Sequence, residues 1–188
     1  MVQYLNDPNS LQKHGKSFYW ASFFLPKKNK KIASELYGIC RFFDDLADEN
    51  DEDQTKKLSE EFQQICKDLD HPINIFFRSH KISIKILGDL VDGLIKDQTK
   101  VRIKSEKELI EYAYQVAGTV GLMMSPLIMV DDKKANKHAV DLGIAMQLTN
   151  IARDIYEDAL MDRIYLPQDW IKNTQIAELT KMSPNKNP

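Results

Sequence analysis

The sequence predicts an all-α protein with one domain, and three observations support this fold class. Apolar residues make up 43% and charged residues 29% of the 188 residues, a composition typical of a globular chain with a hydrophobic core. Glycine and proline number only 7 each, which disfavours the turn-rich sandwich and barrel folds. Apolar side chains recur every three or four residues, without the alternation of strands.

The first two predicted helices lie between residues 27 and 70. One follows the basic run Lys27–Lys31, and its apolar side holds Ile32, Leu36, Ile39, Cys40 and Phe43. We interpret the lysines as a solvated helix start, with contact to a membrane surface as the alternative. The other runs from Asp53 to Asp70, and His71-Pro72 ends it because the residue before a proline avoids the helical region.

Three more helices and a bend account for the rest of the predicted domain. One runs from Ser83 to Lys100, and the next starts at Ser105, where Glu108 completes a capping box. The apolar stretch 116–130 contains two glycines and a proline and is shorter than the ~20 residues of a membrane span, so we interpret it as a buried helix pair around a bend. A long helix follows, from about Lys134 to Ala159. Residues 176–188 are interpreted as a poorly ordered polar tail, which gives a folded domain of residues 1–175.

Composition also excludes several classes of function. The formal net charge of −2 provides no basic face for nucleic acid. Cys40 and Cys66 lack metal-ligand spacing and are interpreted as reduced thiols, and residues 1–7 lack a signal pattern. We therefore expect a cytoplasmic protein, or one in peripheral contact with a membrane. The sequence contains no Glu-x-x-His pair and no EF-hand loop.

Two pairs of aspartates at helical spacing are the strongest functional signal. Asp44 and Asp48 lie near the end of the first helix, and Asp154 and Asp158 lie on the long helix. Residues four apart share a helical face, and like charges there destabilise an isolated helix by a few tenths of a kcal/mol. Two such pairs on largely apolar helices indicate that something neutralises them.

A divalent cation is one interpretation of these pairs, and a solvated acidic surface is the other. Mg²⁺ prefers carboxylates together with phosphate oxygens, and the metal would neutralise the charge of a departing diphosphate. Arg41 shares a face with Asp44, and Arg153 adjoins Asp154, so both guanidinium groups could reach the same diphosphate. The second motif favours the metal, because a polar stripe runs down an otherwise apolar helix through Gln147, Asn150, Asp154 and Asp158.

Four segments, in order, resemble the squalene/phytoene synthase family, and the likeness extends from His14 to Trp170. They are 14–18 (HGKSF), 37–48 (YGICRFFDDLAD), 114–121 (YQVAGTVG), and 150–158 (NIARDIYED) with 163–167 (RIYLP). The resemblance implies an isoprenoid-synthase-type helical bundle around a central cavity. It also implies Mg²⁺, or alternatively Mn²⁺, on Asp44, Asp48, Asp154 and Asp158. Diphosphate contacts are implied for Arg41 and Arg153, a place near the reacting carbons for Tyr114, and other substrate contacts for His14, Lys16, Ser17, Tyr37, Gln147 and Asn150.

The resemblance further implies head-to-head condensation of two prenyl diphosphates through a cyclopropyl intermediate. The segments 118–124 (GTVGLMM) and 165–167 (YLP) look more like the phytoene branch, which implies conversion of geranylgeranyl diphosphate to phytoene via prephytoene diphosphate, without NADPH. Squalene or dehydrosqualene formation from farnesyl diphosphate is the alternative within the family. The oligomeric state is not encoded in any feature of the sequence that we identify.

The chain departs from the family because members continue well past the second aspartate motif with helices that close the cavity. We therefore expect a protein that lacks the C-terminal part of the fold, binds metal-diphosphate weakly and turns over poorly by itself. Two other hypotheses stay open. A head-to-tail elongase or terpene cyclase also carries the pattern Asp44-Asp45-x-x-Asp48, and a non-catalytic relative could use the same helical fold as a binding or assembly module.

Overall fold

The computed structural model describes residues 10–48, 53–98, 101–128, 133–172 and 176–179. Seven helices precede the bend: α1 Ser10–His14, α2 Lys16–Ser22, α3 Lys27–Asp48, α4 Gln54–Lys67, α5 Pro72–Ser79, α6 Ile84–Asp97 and α7 Glu106–Ala113. A π-helical turn Tyr114–Gly118, α8 Thr119–Met124 and a 3₁₀ turn Ser125–Ile128 follow, and then α9 Lys133–Arg153, α10 Ile155–Leu160, α11 Gln168–Ile171 and α12 Ile176–Leu179. Within these ranges the one extended pairing is an isolated bridge between Arg102 and Ile164, so the all-α prediction is confirmed.

The main core lies between α3, α4, α5, α6 and the bend. Leu36, Ile39 and Phe43, which helical spacing placed on the apolar side of the first helix, are fully buried in it. Leu58, Phe77 and Leu87 from the neighbouring helices are fully buried there as well. A smaller core packs α7 against α9 through Leu109 and Ile151. Among the described helices, none is both long enough and apolar enough to cross a membrane.

Two glycines bring the bend and α9 into backbone contact. A Cβ atom at Gly121 would lie 2.2 Å from the carbonyl oxygen of Ala139, and a Cβ atom at Gly143 would lie 2.4 Å from that of Ala117. Each glycine therefore allows an approach that no other residue permits. This close packing holds α9, which leads into the second aspartate motif, against the wall formed by α8.

The structure corrects two predicted helix boundaries. Pro72 begins a helix that the sequence analysis missed, because His71 accepts a hydrogen bond from the Ile73 amide at 3.2 Å and Pro72 occupies the first turn. The predicted long helix ends at Arg153, since Asp154 leaves the helical region with φ −101° and ψ 16°, and α10 then continues the chain.

The predicted polar tail, residues 176–188, contains one described helix. Residues 176–179 form the short helix α12, and Leu179 is buried in a small cluster with Ala159 and Ile164. Folded structure therefore extends beyond residue 175, because Leu179 has an apolar surface on which to pack. The rest of the predicted tail, residues 180–188, lies outside the described part of the chain.

Candidate active site

Asp97, the last residue of α6, provides a buried carboxylate that joins three parts of the chain. It accepts hydrogen bonds from the hydroxyl of Tyr112 at 2.8 Å and from that of Tyr165 at 3.0 Å. The two tyrosine rings stack with their centroids 5.0 Å apart. Burial raises the pKa of Asp97, while the two hydroxyl groups and the nearby Arg163 oppose that rise.

The first aspartate motif lies at the end of α3, as predicted. Burial raises the pKa of Asp44 to about 6, against the opposing effect of Arg41, and the charges of Asp48, Asp45 and Asp97 raise it further. Arg41 donates to Asp45 and places a guanidinium nitrogen 3.9 Å from Asp48. The Nε atom of Arg41 is buried without a hydrogen-bond partner, which leaves a donor free for an anion.

The second aspartate motif spans the break between α9 and α10. Arg153 donates to both carboxylate oxygens of Asp154, at 2.6 and 2.5 Å, and these bonds lower the pKa of Asp154. Burial raises the pKa of Asp158 to about 6, and the charges of Asp154, Asp97 and Glu157 act in the same direction, opposed by Arg163. The break turns Asp154 partly outward while Asp158 faces the buried acids.

Asp97 connects the two motifs electrostatically. Its charge raises the pKa of Asp44 on one side and that of Asp158 on the other. Residues far apart in the sequence therefore contribute to one acidic region. Its carboxylates would repel their neighbours if every carboxyl group were ionised. Within the described residues, no three carboxylate, imidazole or thiolate side chains lie close enough to hold a cation by themselves.

The short segment between α10 and α11, residues 161–167, positions further side chains in this region. The Ile164 amide donates to the Val101 carbonyl at 3.1 Å, and the Ile103 amide donates to the Ile164 carbonyl at 3.3 Å. Arg102 pairs with Asp162 beside this bridge. This segment thereby places Arg163 and Tyr165 close to Asp97. The sequence analysis included residues 163–167 in the family resemblance but assigned neither residue to the site.

The remaining predicted substrate residues lie on three helices. Lys16 is exposed at the start of α2, Tyr37 is half-buried on α3, and on α9 Gln147 is half-buried and Asn150 is exposed. A Cβ atom at Gly15 would lie 3.1 Å from the Tyr37 ring, so the α1–α2 junction packs directly on Tyr37. Burial raises the pKa of Tyr37, opposed by Arg41. The side chains of His14 and Ser17 lie outside the described residues.

Tyr112, rather than Tyr114, is the tyrosine of this segment that contacts the acidic region. Tyr114 donates to Asp89 at 3.1 Å, eight residues before Asp97 and about 12 Å away along α6. The family resemblance implies a place near the reacting carbons for Tyr114, and that assignment stays a prediction. A usable signal was present, because Asp97 continues the buried stripe of Leu90 and Leu94 at helical spacing.

Comparison with known proteins identifies the family. The squalene/phytoene synthase family matches residues 11–187. This chain belongs to that family. Among its relatives, the phytoene synthase of Thermus thermophilus is 36% identical over 169 residues, which cover 86% of this chain and 58% of the relative. The phytoene synthase of Pseudescherichia vulneris is 32% identical over 179 residues, which cover 84% of this chain and 57% of the relative. The predicted family resemblance is therefore confirmed.

Solved structures support the same squalene/phytoene synthase fold. A dehydrosqualene synthase determined with a ligand superimposes with a TM-score of 0.76 and 33% identity, covering 88% of this chain and 61% of the other. A squalene synthase from Alicyclobacillus acidocaldarius superimposes with a TM-score of 0.80 at 20% identity, covering 95% of this chain and 72% of the other, which bears on the fold alone. This chain spans about half the length of the curated relatives that it matches, from 43% to 59%.

Proposed function

We propose that this chain carries the diphosphate-ionising part of a Mg²⁺-dependent, head-to-head prenyl-diphosphate synthase. The reaction proposed is the condensation of two geranylgeranyl diphosphates to phytoene. The observation that carries the proposal is the convergence of Asp44 and Asp158 on the buried Asp97, with raised pKa values on all three. The phytoene synthases among its relatives support this choice of branch.

The residues present fit a hard divalent cation. Asp44 and Asp158 offer oxygen ligands whose ionised forms are disfavoured by burial and by neighbouring carboxylates, so a bound cation would offset the repulsion that each receives from its neighbours. Mg²⁺ usually takes one or two protein carboxylates and completes its shell with water and substrate phosphate. We assign the metal to Asp44, Asp48, Asp154 and Asp158, where it would neutralise the charge that develops on a departing diphosphate.

Arg41 and Arg153 act on the diphosphate in different ways. The unpartnered Nε atom of Arg41 is buried, and a phosphate oxygen would satisfy it at little entropic cost because Asp45 already holds the side chain. Arg153 is exposed and its guanidinium group already donates two hydrogen bonds to Asp154, so it must exchange that partner when substrate binds. Only the first of these arginines is thus preorganised for an anion.

Tyr112 and Tyr165 hold Asp97 in place and present aromatic rings beside the acids. Their hydroxyl groups donate to the Asp97 carboxylate, which keeps the carboxylate oriented. Stacked rings at this position could stabilise a developing allylic cation through their faces. We propose that Tyr112 is a further tyrosine close to the reacting carbons, in addition to Tyr114, which the family resemblance implies.

The proposal is tested with geranylgeranyl diphosphate, with and without Mg²⁺, followed by chromatography of the organic extract. We expect phytoene to form only when Mg²⁺ is present. Calorimetric binding of a non-ionisable thio-diphosphate analogue reports on the site separately. We expect Mg²⁺-dependent binding that falls about tenfold or more in Asp44→Asn, since a ligand to the metal is lost.

Asp92→Asn is the matched control, because Asp92 is an exposed carboxylate on α6. Its binding should equal that of the parent chain. Mg²⁺-independent binding, or equal binding by parent and Asp44→Asn, would contradict the assignment of the site. Consumption of isopentenyl diphosphate would indicate a head-to-tail elongase instead.

Dehydrosqualene formation from farnesyl diphosphate is the second candidate. It is supported by the superposition on a dehydrosqualene synthase at 33% identity. Parallel incubations with farnesyl and geranylgeranyl diphosphate discriminate the two branches. A C30 product that forms without NADPH would favour this candidate over phytoene formation.

A further inference from the structure

The turn between α2 and α3 presents aromatic and basic side chains to solvent. We refer to Trp20, Phe23, Phe24, Lys27 and Lys28 as the aromatic–basic corner. Trp20 is 70% exposed, Phe23 55% and Phe24 92%, and both lysines are exposed as well. Isolated exposed apolar residues are ordinary, but here three large aromatic residues are exposed within five positions, and the ring centroids of Trp20 and Phe23 lie 5.8 Å apart.

The corner lies in the most basic part of the chain. Residues 8–34 contain six lysines and no aspartate or glutamate, although the whole chain has a formal net charge of −2. The first acidic residue after this segment is Glu35, whose carboxylate lies 3.9 Å from the Lys31 ammonium group. The corner therefore combines an apolar patch with a concentrated positive charge that the local sequence does not neutralise.

The corner is anchored to the folded core. The buried Asn29 side chain donates to the Leu127 carbonyl at 2.9 Å, which fixes the first turn of α3 while the neighbouring lysines face solvent. The Lys30 ammonium group lies 3.8 Å from the Phe23 ring centroid and 5.2 Å from that of Tyr19. These contacts orient the rings in advance, so that little conformational entropy is lost when the patch is covered.

We propose that the aromatic–basic corner docks the protein on an anionic phospholipid surface. Aromatic side chains partition into the headgroup region, and lysines beside them are attracted by anionic lipids, each by an amount equivalent to about fivefold in affinity. A second copy of the chain is a poor occupant, because a symmetric contact would bring two lysine runs together. This inference does not depend on the proposed reaction, because its test measures binding alone.

Trp20 can report on docking directly. The chain has two tryptophans, so Trp170→Phe leaves Trp20 as the single fluorophore. Vesicles of phosphatidylcholine with about one-third phosphatidylserine should shift the Trp20 emission to the blue and sediment the protein, because the ring enters the headgroup region. Pure phosphatidylcholine should bind at least tenfold more weakly, and added salt should weaken the binding to anionic vesicles.

Two variants test the corner, and two act as controls. Phe24→Ser and Lys27→Gln/Lys28→Gln should each reduce vesicle affinity by about tenfold or more. None of these three side chains is buried. Leu142→Ser and Lys67→Gln/Lys85→Gln, which change exposed residues elsewhere, should bind like the parent chain.

Three results would overturn the docking proposal. The first is no sedimentation with anionic vesicles, and the second is undiminished binding by both corner variants. The third is concentration-dependent self-association that Phe24→Ser abolishes while vesicles have no effect, which would assign the patch to contact between copies. Loss of prenyl-diphosphate binding with vesicle binding intact would bear on the proposed function alone.

Discussion

Asp44 makes the stability of this protein depend on pH in a direction that can be worked out from its surroundings. Its carboxyl group is largely buried beside Asp48, Asp45 and Asp97, and its pKa is raised to about 6 from an ordinary value of 3.8. Replacement by asparagine keeps the shape of the side chain and removes the ionisation. Asp44→Asn therefore isolates the free-energy cost of burying this charge.

The direction in which the free energy of unfolding changes with pH follows from proton binding. Between pH ~4 and ~6 the folded protein holds a proton on Asp44 that the unfolded chain has already lost, so the free energy of unfolding falls as pH rises through this window. A shift from 3.8 to about 6 corresponds to about 3 kcal/mol at most, at 1.36 kcal/mol per pH unit. Asp158 contributes in the same direction, but it is partly exposed and solvent screens its share.

Urea unfolding of the parent and Asp44→Asn at pH 4 and pH 8 measures this contribution. The two proteins should have similar free energies of unfolding at pH 4, where Asp44 is protonated in the folded state. At pH 8 the asparagine variant should be more stable by about 1–3 kcal/mol. Millimolar Mg²⁺ at pH 8 should stabilise the parent and not the variant, if the proposed metal assignment is correct.

Asp92→Asn provides the baseline for these measurements, since an exposed carboxylate on α6 should change stability by no more than about 0.5 kcal/mol. The reasoning fails if parent and Asp44→Asn unfold at the same urea concentration at pH 8. It also fails if the variant is less stable at both pH values, because the carboxylate would then be stabilising rather than strained.

Three further predictions concern packing, the buried hydroxyl network and helix capping. Gly121→Ala should lower the unfolding free energy by about 1–3 kcal/mol in a thermal melt, because the new Cβ would lie 2.2 Å from the Ala139 carbonyl oxygen; unchanged or higher stability would contradict this contact. Tyr112→Phe should lose about 1.5–3 kcal/mol, because its 2.8 Å bond to the Asp97 carboxylate is removed while the ring remains; a neutral change in urea unfolding would show that the bond contributes nothing. Ser105→Ala should lose about 1 kcal/mol and increase amide hydrogen exchange in the first turn of α7, and unaltered exchange would argue against the cap.

The predicted fold class and most helices were confirmed because helical periodicity is a local property. Leu36, Ile39 and Phe43 were assigned to the apolar side of a helix from their spacing alone, and each is buried. The cap at Ser105 was also predicted, since its side chain accepts from the Glu108 amide only three residues away. Local patterns failed at the boundary between two helices. We missed α5 because Pro72 was interpreted only as the end of the preceding helix, whereas it begins the next one.

The site was only partly predictable for the same reason. Both aspartate motifs could be found, because each is a short pattern within one segment. The pairing of Tyr112 with Asp97 could not be found from a pattern within one segment, because it joins α7 to the end of α6.

The sequence by itself determined that this is an all-α member of the squalene/phytoene synthase family with two aspartate motifs. Only the tertiary structure decided which carboxyl groups lie close enough to shift one another's pKa values. Asp44, Asp97 and Asp158 come from three separate helices, and the charge of Asp97 acts on both of the others. Burial and proximity arise from long-range packing, whereas periodicity and capping are set by residues a few positions apart.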